Sequence, residues 1–191
     1  MMRIITGSAR GVRLDTLVGE DVTRPTAERT KQAVFSAIQF EVEGREVLDL
    51  FGGSGQMGLE ALSRGAASCM FVDAAEEAIT LIKRNAQKTR LFDRCRVLVS
   101  DYRNYLRKAR GRAKFDLVFL DPPYALRALP EALTRLLEGE LVSPDCIFVC
   151  ESAEPDIFEG HEELGEKFAT RKSARYAHSY IHILELKEKD V

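Results

Sequence analysis

Short apolar runs alternate with amphipathic stretches through most of this 191-residue chain. Runs at 46–51, 69–73, 95–100 and 115–121 are short, rich in β-branched and aromatic residues, and read as strands. Between them, 56–64, 75–88 and 102–110 carry helical spacing. A helix near 126–138 and a strand at 146–150 follow. Such alternation predicts an α/β fold, a parallel sheet wrapped by helices. The ending differs: strands at 168–171 and 180–186 have no helix between them, which predicts an antiparallel hairpin at the sheet edge. The expected architecture is a mostly parallel seven-stranded sheet with a C-terminal antiparallel hairpin and a small N-terminal extension. The extension (1–40) pairs residues 2–6 with 12–14 across a turn at 7–11, then starts a helix with Thr26 as N-cap and Val34, Ala37 and Ile38 on one face. Residues 41–191 form the main domain, which leaves no internal repeat, low-complexity stretch or long linker.

The first run ends in a glycine-rich turn, Asp49-Leu50-Phe51-Gly52-Gly53-Ser54-Gly55. Gly53-x-Gly55-x-x-Gly58 suits a loop that lets backbone approach a nucleotide cofactor, with helix N–H groups facing it. The pattern alone fits a nicotinamide-binding protein equally well. Asp49 argues otherwise, because a carboxylate here repels a pyrophosphate and suits a cofactor with a cationic amino acid portion. S-adenosylmethionine carries an ammonium and a sulfonium and no phosphate. Asp73 closes the next run, where an acid can hold both ribose hydroxyls. Asp101 and Tyr102 follow the third, and Asp121 ends the fourth. Any one of these acids alone reads first as a helix N-cap or a solvated loop residue; four in one rim around a glycine loop are hard to attribute to capping. In open α/β sheets ligands bind at the carboxyl ends of the strands.

Phe115 to Tyr124 is the most informative stretch, an apolar run ending in Asp121-Pro122-Pro123-Tyr124. Proline fixes its own φ and restricts the residue before it, and neither proline has an N–H. The turn therefore offers acceptors, the Asp121 carboxylate and local carbonyls, to a substrate with a donating amino group. Tyr124 offers a flat face to a planar base. The plainer alternative is a turn that only ends a strand.

Together these segments resemble class I S-adenosylmethionine-dependent methyltransferases, whose fold is Rossmann-like, and more closely the bacterial 16S ribosomal RNA guanine-N2 methyltransferases of the RsmD family. The matching segments are Arg3 to Gly11, Thr23 to Thr26, Asp49 to Gly55, Gly58 to Ala66 and Asp121 to Tyr124. The resemblance covers about residues 2–185. Gly52, Glu28, Gln32 and Asp73 stand where family members often carry Ala, Asp, Glu and Glu. The resemblance implies methyl transfer to a guanine N2 amine in 16S rRNA, with Asp121, Pro122, Pro123 and Tyr124 at the acceptor. Asp49, Phe51, Gly53, Ser54, Gly55, Asp73, Asp101 and Tyr102 would hold S-adenosylmethionine. It also implies that the N-terminal segment borders the site and engages RNA, with Arg10, Arg24 and Thr26 as candidate contacts.

Composition agrees: 45% hydrophobic and 30% charged residues are those of a soluble globular protein. No run approaches the roughly 20 apolar residues of a bilayer span, and no signal peptide is legible. Cys69, Cys95, Cys146 and Cys150 lack CxxC spacing, and His161, His178 and His182 lack ligand spacing, so free thiols in a reducing cytoplasm and no metal are expected. Net charge is −2, yet twelve basic residues lie between Lys83 and Lys114, a candidate RNA face or a solvated one. A monomer is expected. Other readings remain open: amino-methyl transfer to DNA adenine or protein glutamine, where Asn usually replaces Asp121; a nicotinamide oxidoreductase; and an RNA-binding protein without turnover.

Overall fold

The computed structural model describes residues 2–17 and 25–187. Arg24 lies outside the described residues, as does the Thr26 side chain. The elements are α1 (Pro25–Ala37), β1 (Glu46–Asp49), α2 (Gln56–Ser63), β2 (Ser68–Asp73), α3 (Glu76–Lys88), β3 (Cys95–Val99), α4 (Tyr102–Ala109), β4 (Phe115–Leu120), α5 (Leu129–Glu138), β5 (Val142–Ser152), α6 (Glu162–Gly165), β6 (Phe168–Tyr176) and β7 (Ser179–Leu186). The sheet has seven strands in the order β3-β2-β1-β4-β5-β7-β6. The first five are parallel, and β7 runs antiparallel between β5 and β6. The fold class expected from the hydrophobic pattern is the one observed.

The central strands are apolar on both faces because both faces are covered. In β1, Val47 points to one core and Leu48 to the other; in β4, Leu117 and Phe119 alternate with Val118 and Leu120. One core is closed by α1, α2, α3 and the N-terminal segment, and the other by α4, α5 and α6. Phe35 of α1 packs on Phe119 with ring centroids 5.7 Å apart.

Several boundaries differ from expectation. α1 begins at Pro25, so Thr26 falls inside the helix and not at its cap; proline, with φ preset and no N–H to satisfy, suits the first helical position. α5 starts at Leu129, because Tyr124–Leu126 forms a single 3-10 turn and Arg127 then takes φ 43°. β5 begins at Val142, four residues early, despite Pro144: the Arg45 guanidinium donates to the carbonyls of Asp116 and Asp145, at 2.6 and 2.9 Å, across the shift in β4–β5 register. β6 runs on to Tyr176 through Arg171, Lys172 and Arg175, whose charges had masked a strand. Arg171 also ties the end of α1 to this edge, pairing with Glu41 at 2.6 Å and Glu185 at 3.0 Å.

The N-terminal segment forms the expected hairpin, reduced to one bridge between Arg3 and Arg13. Ile4 N–H donates to the Val12 carbonyl and Gly11 N–H to that of Ile4, both at 2.9 Å. The hairpin lies along α2. Its anchor is Glu60, fully buried in α2, whose carboxylate accepts from the Ile5 and Thr6 N–H groups at 2.8 and 3.0 Å. Glu60 also pairs with Arg64 at 2.9 Å and with buried Lys31 of α1 at 3.4 Å. The Lys31 ammonium donates to the Arg3 carbonyl at 2.6 Å, and burial is the main cause that lowers its pKa. One carboxylate thus fixes hairpin, α1 and α2 together. At the far end, Ser8 N–H reaches the Ser63 carbonyl at 2.8 Å. Gly7 there has φ 87°, and a Cβ would sit 1.8 Å from the Ser63 oxygen, so only glycine allows the approach.

Candidate active site

The carboxyl ends of β1, β2, β3 and β4 lie along one edge of the sheet, and the strand order reverses at the β1–β4 boundary. Open α/β sheets bind ligands at such a point. A cleft of 560 Å³ opens there. Asp49, Phe51, Gly53, Ser54, Asp73, Asp101 and Tyr102 line it, and so do Asp121, Pro122, Pro123 and Tyr124. Gly55 sits just behind, at φ 77° before the first turn of α2.

The glycine loop spends its N–H groups on acids. Asp49 accepts from Gly58 N–H at 3.1 Å, Asp73 accepts from Gly53 N–H and Ala75 N–H at 2.9 Å each, and Gly55 N–H donates to the Gly52 carbonyl at 2.7 Å. A pyrophosphate needs those donors, and two carboxylates occupy its place. Burial pushes the Asp49 carboxyl up to about 7; the Gly58 N–H opposes this and neighbouring Asp73 adds to it. Asp49 is 4% exposed, a carboxylate whose charged neighbour has the same sign. This acceptor set suits a ligand bearing an ammonium.

Gly58 itself explains the tight entry of α2. A Cβ there would lie 2.4 Å from the Phe71 ring and 2.6 Å from Cys69 Sγ, both fully buried. Gly58→Ala is expected to destabilise the fold by about 1–3 kcal/mol through overpacking, read as a lowered Tm.

The third acid has a second duty. Asp101 caps α4, accepting from the Arg103 and Asn104 N–H groups at 2.9 and 3.4 Å. Tyr102 presents its ring to Phe51, at 5.3 Å between centroids, while its hydroxyl donates to Glu131 at 2.8 Å. Burial, then Glu131, pushes that hydroxyl up to about 12. Tyr102 therefore offers the cleft a flat apolar face and no proton.

Asp121 follows β4 directly and is exposed, and Tyr124 is 48% exposed beside it. The Tyr124 hydroxyl donates to Glu151 at 3.1 Å, and burial followed by Glu151 holds its pKa up at about 12. Sequence reasoning missed the other wall: Met2 and Leu17 of the N-terminal segment, and Gln56 and Met57 of α2. Ser54 Oγ donates to Met2 Sδ at 3.3 Å, which holds the hairpin against the glycine loop. Only the position of Gln56 and Met57 just after Gly55 hinted at a role for them.

Two candidates are placed away from the cleft. Arg10 is exposed on the turn that docks at Ser63, a full helix of about 12 Å from the glycine loop. Arg110, Arg112 and Lys114 join the end of α4 to the start of β4, at the opposite end of the sheet. Arg103, at the rim, pairs with Glu131 at 2.7 Å. All four cysteines are free thiols. Among the described residues no group of three or more His, Cys, Asp or Glu could hold a metal, and no helix is long and apolar enough to cross a membrane.

Comparison with known proteins gives the same architecture. The family described as "Conserved hypothetical protein 95" matches residues 2–184. A Bacillus subtilis protein named "Putative rRNA methyltransferase YlbH" is 37% identical, covering 90% of this chain and 92% of its own. "Ribosomal RNA small subunit methyltransferase D" of Haemophilus influenzae is 32% identical, covering 79% and 78%. Among solved structures, "Putative methyltransferase yhhF from Escherichia coli" superposes with a TM-score of 0.84 at 24% identity, over 98% of this chain and 99% of that one.

Proposed function

Since the chain belongs to the family of conserved hypothetical protein 95, we propose that it transfers a methyl group from S-adenosylmethionine to the N2 amine of a guanine in 16S rRNA of the small ribosomal subunit. The observation that carries this reading is the meeting of two features in one cleft: a buried Asp49 whose one charged neighbour among the described residues, Asp73, is itself an acid, and the Asp121–Tyr124 acceptor turn. The first favours a cationic methyl donor over a dinucleotide, and the second favours an amine acceptor. The names of the Haemophilus influenzae and Bacillus subtilis relatives supply the RNA class.

The donor supplies an electrophilic methyl on a sulfonium. Asp49 would face its ammonium, Asp73 its ribose hydroxyls, and Asp101 with the Tyr102 and Phe51 rings its adenine. On the acceptor side a guanine amine is a weak nucleophile, its lone pair delocalised into the ring. Asp121 and the Pro122 carbonyl accept its two hydrogens, which favours a pyramidal nitrogen directed into the cleft. The amine gains a methyl and loses one proton, and that proton becomes acidic once the carbon–nitrogen bond forms, so Asp121 needs only to accept it. Tyr124 stacks on the base. N2 of a paired guanine cannot enter such a site, so the target is unpaired or flipped. Met2 and Leu17 on the cleft wall support a substrate-side role for the N-terminal segment. Arg24 and Thr26 would contact RNA near α1, whereas Arg10 could reach it only along a surface remote from the cleft. The enzyme would act in the cytoplasm, as a monomer.

The test is transfer from labelled S-adenosylmethionine to small subunits and to naked 16S RNA, both from cells lacking the modification. Label in N2-methylguanine, mapped to one position, is the expected result. Cofactor binding without label in either substrate overturns the ribosomal reading and favours DNA or protein amines.

A further inference from the structure

A second cavity, of 270 Å³, opens beside the cleft. Gln56, Met57, Phe119, Asp121 and Tyr124 line both, so the two spaces share a wall that includes the acceptor turn. Its volume lies below the roughly 300 Å³ at which pockets for drug-sized ligands begin, and suits something as small as one nucleobase. Glu151 lines this second cavity and not the first. It stands near the end of β5, fixed laterally by its pairing with Ile181 of β7. The Tyr124 hydroxyl donates to its Oε1. One carboxylate offers about four acceptor positions and, ionised, no donor, so this bond leaves acceptor capacity over. Lys31 also borders the cavity, but its ammonium is committed to the Arg3 carbonyl and Glu60.

A carboxylate at the edge of a base pocket is a selective reader. Guanine places two donors side by side on its Watson–Crick edge, N1–H and the N2 amine. Adenine and cytosine carry a ring lone pair in place of that N1–H, which would face the carboxylate and leave it unpaired. Uracil has an N–H, but flanked on both sides by carbonyl oxygens. Single-stranded RNA bases are read through hydrogen bonds on this edge and stacking on aromatic rings.

We propose that the second cavity is the acceptor-base pocket and that Glu151 selects guanine, accepting N1–H while Asp121 takes a hydrogen of the N2 amine at the shared wall. The assignment rests on the methyl-transfer reading above and deepens it. Tyr124 then acts twice: its ring covers the base and its hydroxyl orients the selecting carboxylate. Sites built to hydrogen-bond a particular polar group reject analogues lacking it by factors of about 10⁴–10⁵, so the discrimination expected is large.

The discriminating probe is 2-aminopurine, which keeps the exocyclic 2-amine but has an unprotonated N1. Small-subunit RNA carrying guanine or 2-aminopurine at the mapped position is assembled from fragments, and kcat/KM is compared for the native enzyme, Glu151→Gln and Glu151→Ala. The native enzyme should prefer guanine by about 10³-fold or more. Glu151→Gln keeps an oxygen for Tyr124 and gains an N–H for the bare N1, so its preference should fall to within about tenfold. Unchanged affinity for S-adenosylhomocysteine reports that both variants are folded. If transfer is too slow to follow, the same preference is read from the affinities of the two RNAs in the presence of S-adenosylhomocysteine. A native-like preference in both variants overturns the role of Glu151 and leaves the methyl-transfer reading standing. No label from the native enzyme on the guanine RNA overturns that reading, and this assignment falls with it.

Discussion

Asp121→Ala is expected to lower kcat for methyl transfer by about 10²–10⁴, with cofactor affinity within about twofold of native. The size follows from what one positioned acceptor or proton-taking group contributes at a reacting centre. The separation of effects follows from position. Asp121 leaves β4 on the shared wall of the cleft and the second cavity, whereas Asp49 and Asp73 line the cleft alone. Asp121→Asn should retain more activity than Asp121→Ala, because the amide oxygen still accepts one amine hydrogen although it cannot take up the proton released. Single-turnover rates with the cofactor prebound distinguish a lost acceptor from weakened RNA binding. Equal losses of kcat and cofactor affinity would place Asp121 on the cofactor side and sink its acceptor role.

Asp49→Asn should act on the cofactor instead, weakening S-adenosylhomocysteine by about 10²-fold at pH 7.5, the scale of a lost hydrogen bond to a charged group. The pH profile carries more information than the magnitude. In the ligand-free protein the Asp49 carboxyl holds its proton up to about 7. An ammonium needs the carboxylate, so affinity should climb about tenfold per pH unit as the pH rises toward 7. It levels off there and falls only at more alkaline pH, once the ligand's own amine deprotonates. Titration calorimetry across buffers should detect a proton released on binding near pH 7, and Asp49→Asn should flatten the acid limb. Stability runs the other way. The folded pKa is raised above the unfolded value, so the ligand-free fold binds the extra proton between about 4 and 7 and loses stability as the pH rises through that range. At pH 8 the cost of the ionised group is on the order of 4 kcal/mol. Asp49→Asn should therefore melt higher than the native protein when empty, and the gap should narrow by about 3 kcal/mol when both are saturated with ligand.

Much of this architecture is legible in the sequence because the central strands are buried on two faces. Val47-Leu48 and Leu117 to Leu120 must be apolar throughout, and such runs are visible without knowing what covers them. The glycine loop and the Asp121–Tyr124 turn are legible for a related reason: backbone requirements at Gly58 and the prolines restrict residue choice locally. What was hidden depends on long-range geometry. Glu60 reads as a solvent-facing helix residue until the hairpin and Lys31 close over it. Asp101 and Tyr102 sit where expected, yet the cap on α4 and the bond to Glu131 decide which of their atoms a ligand could meet. The distance of Arg10 from the cleft follows from the direction of the hairpin along α2, which no local pattern reveals. Charge misled at β6, where Arg171, Lys172 and Arg175 suit an edge strand facing solvent, and where lysines and arginines also discourage pairing with another chain.

The order β5-β7-β6 has a consequence for synthesis. β6 emerges from the ribosome before β7, but its partner in the sheet is β7, which must enter between it and β5. Until Ser179–Leu186 is made, β5 presents Ile147, Phe148 and Val149 on an open edge and β6 has nothing to pair with. About a third of the sheet is thus completed by its final eight strand residues, which pair locally with β6 across a tight turn but with β5 only by closing the chain between them. Premature termination near residue 178 would leave a soluble-looking composition with an adhesive strand edge, and nascent chains halted there are the ones a chaperone or protease would meet.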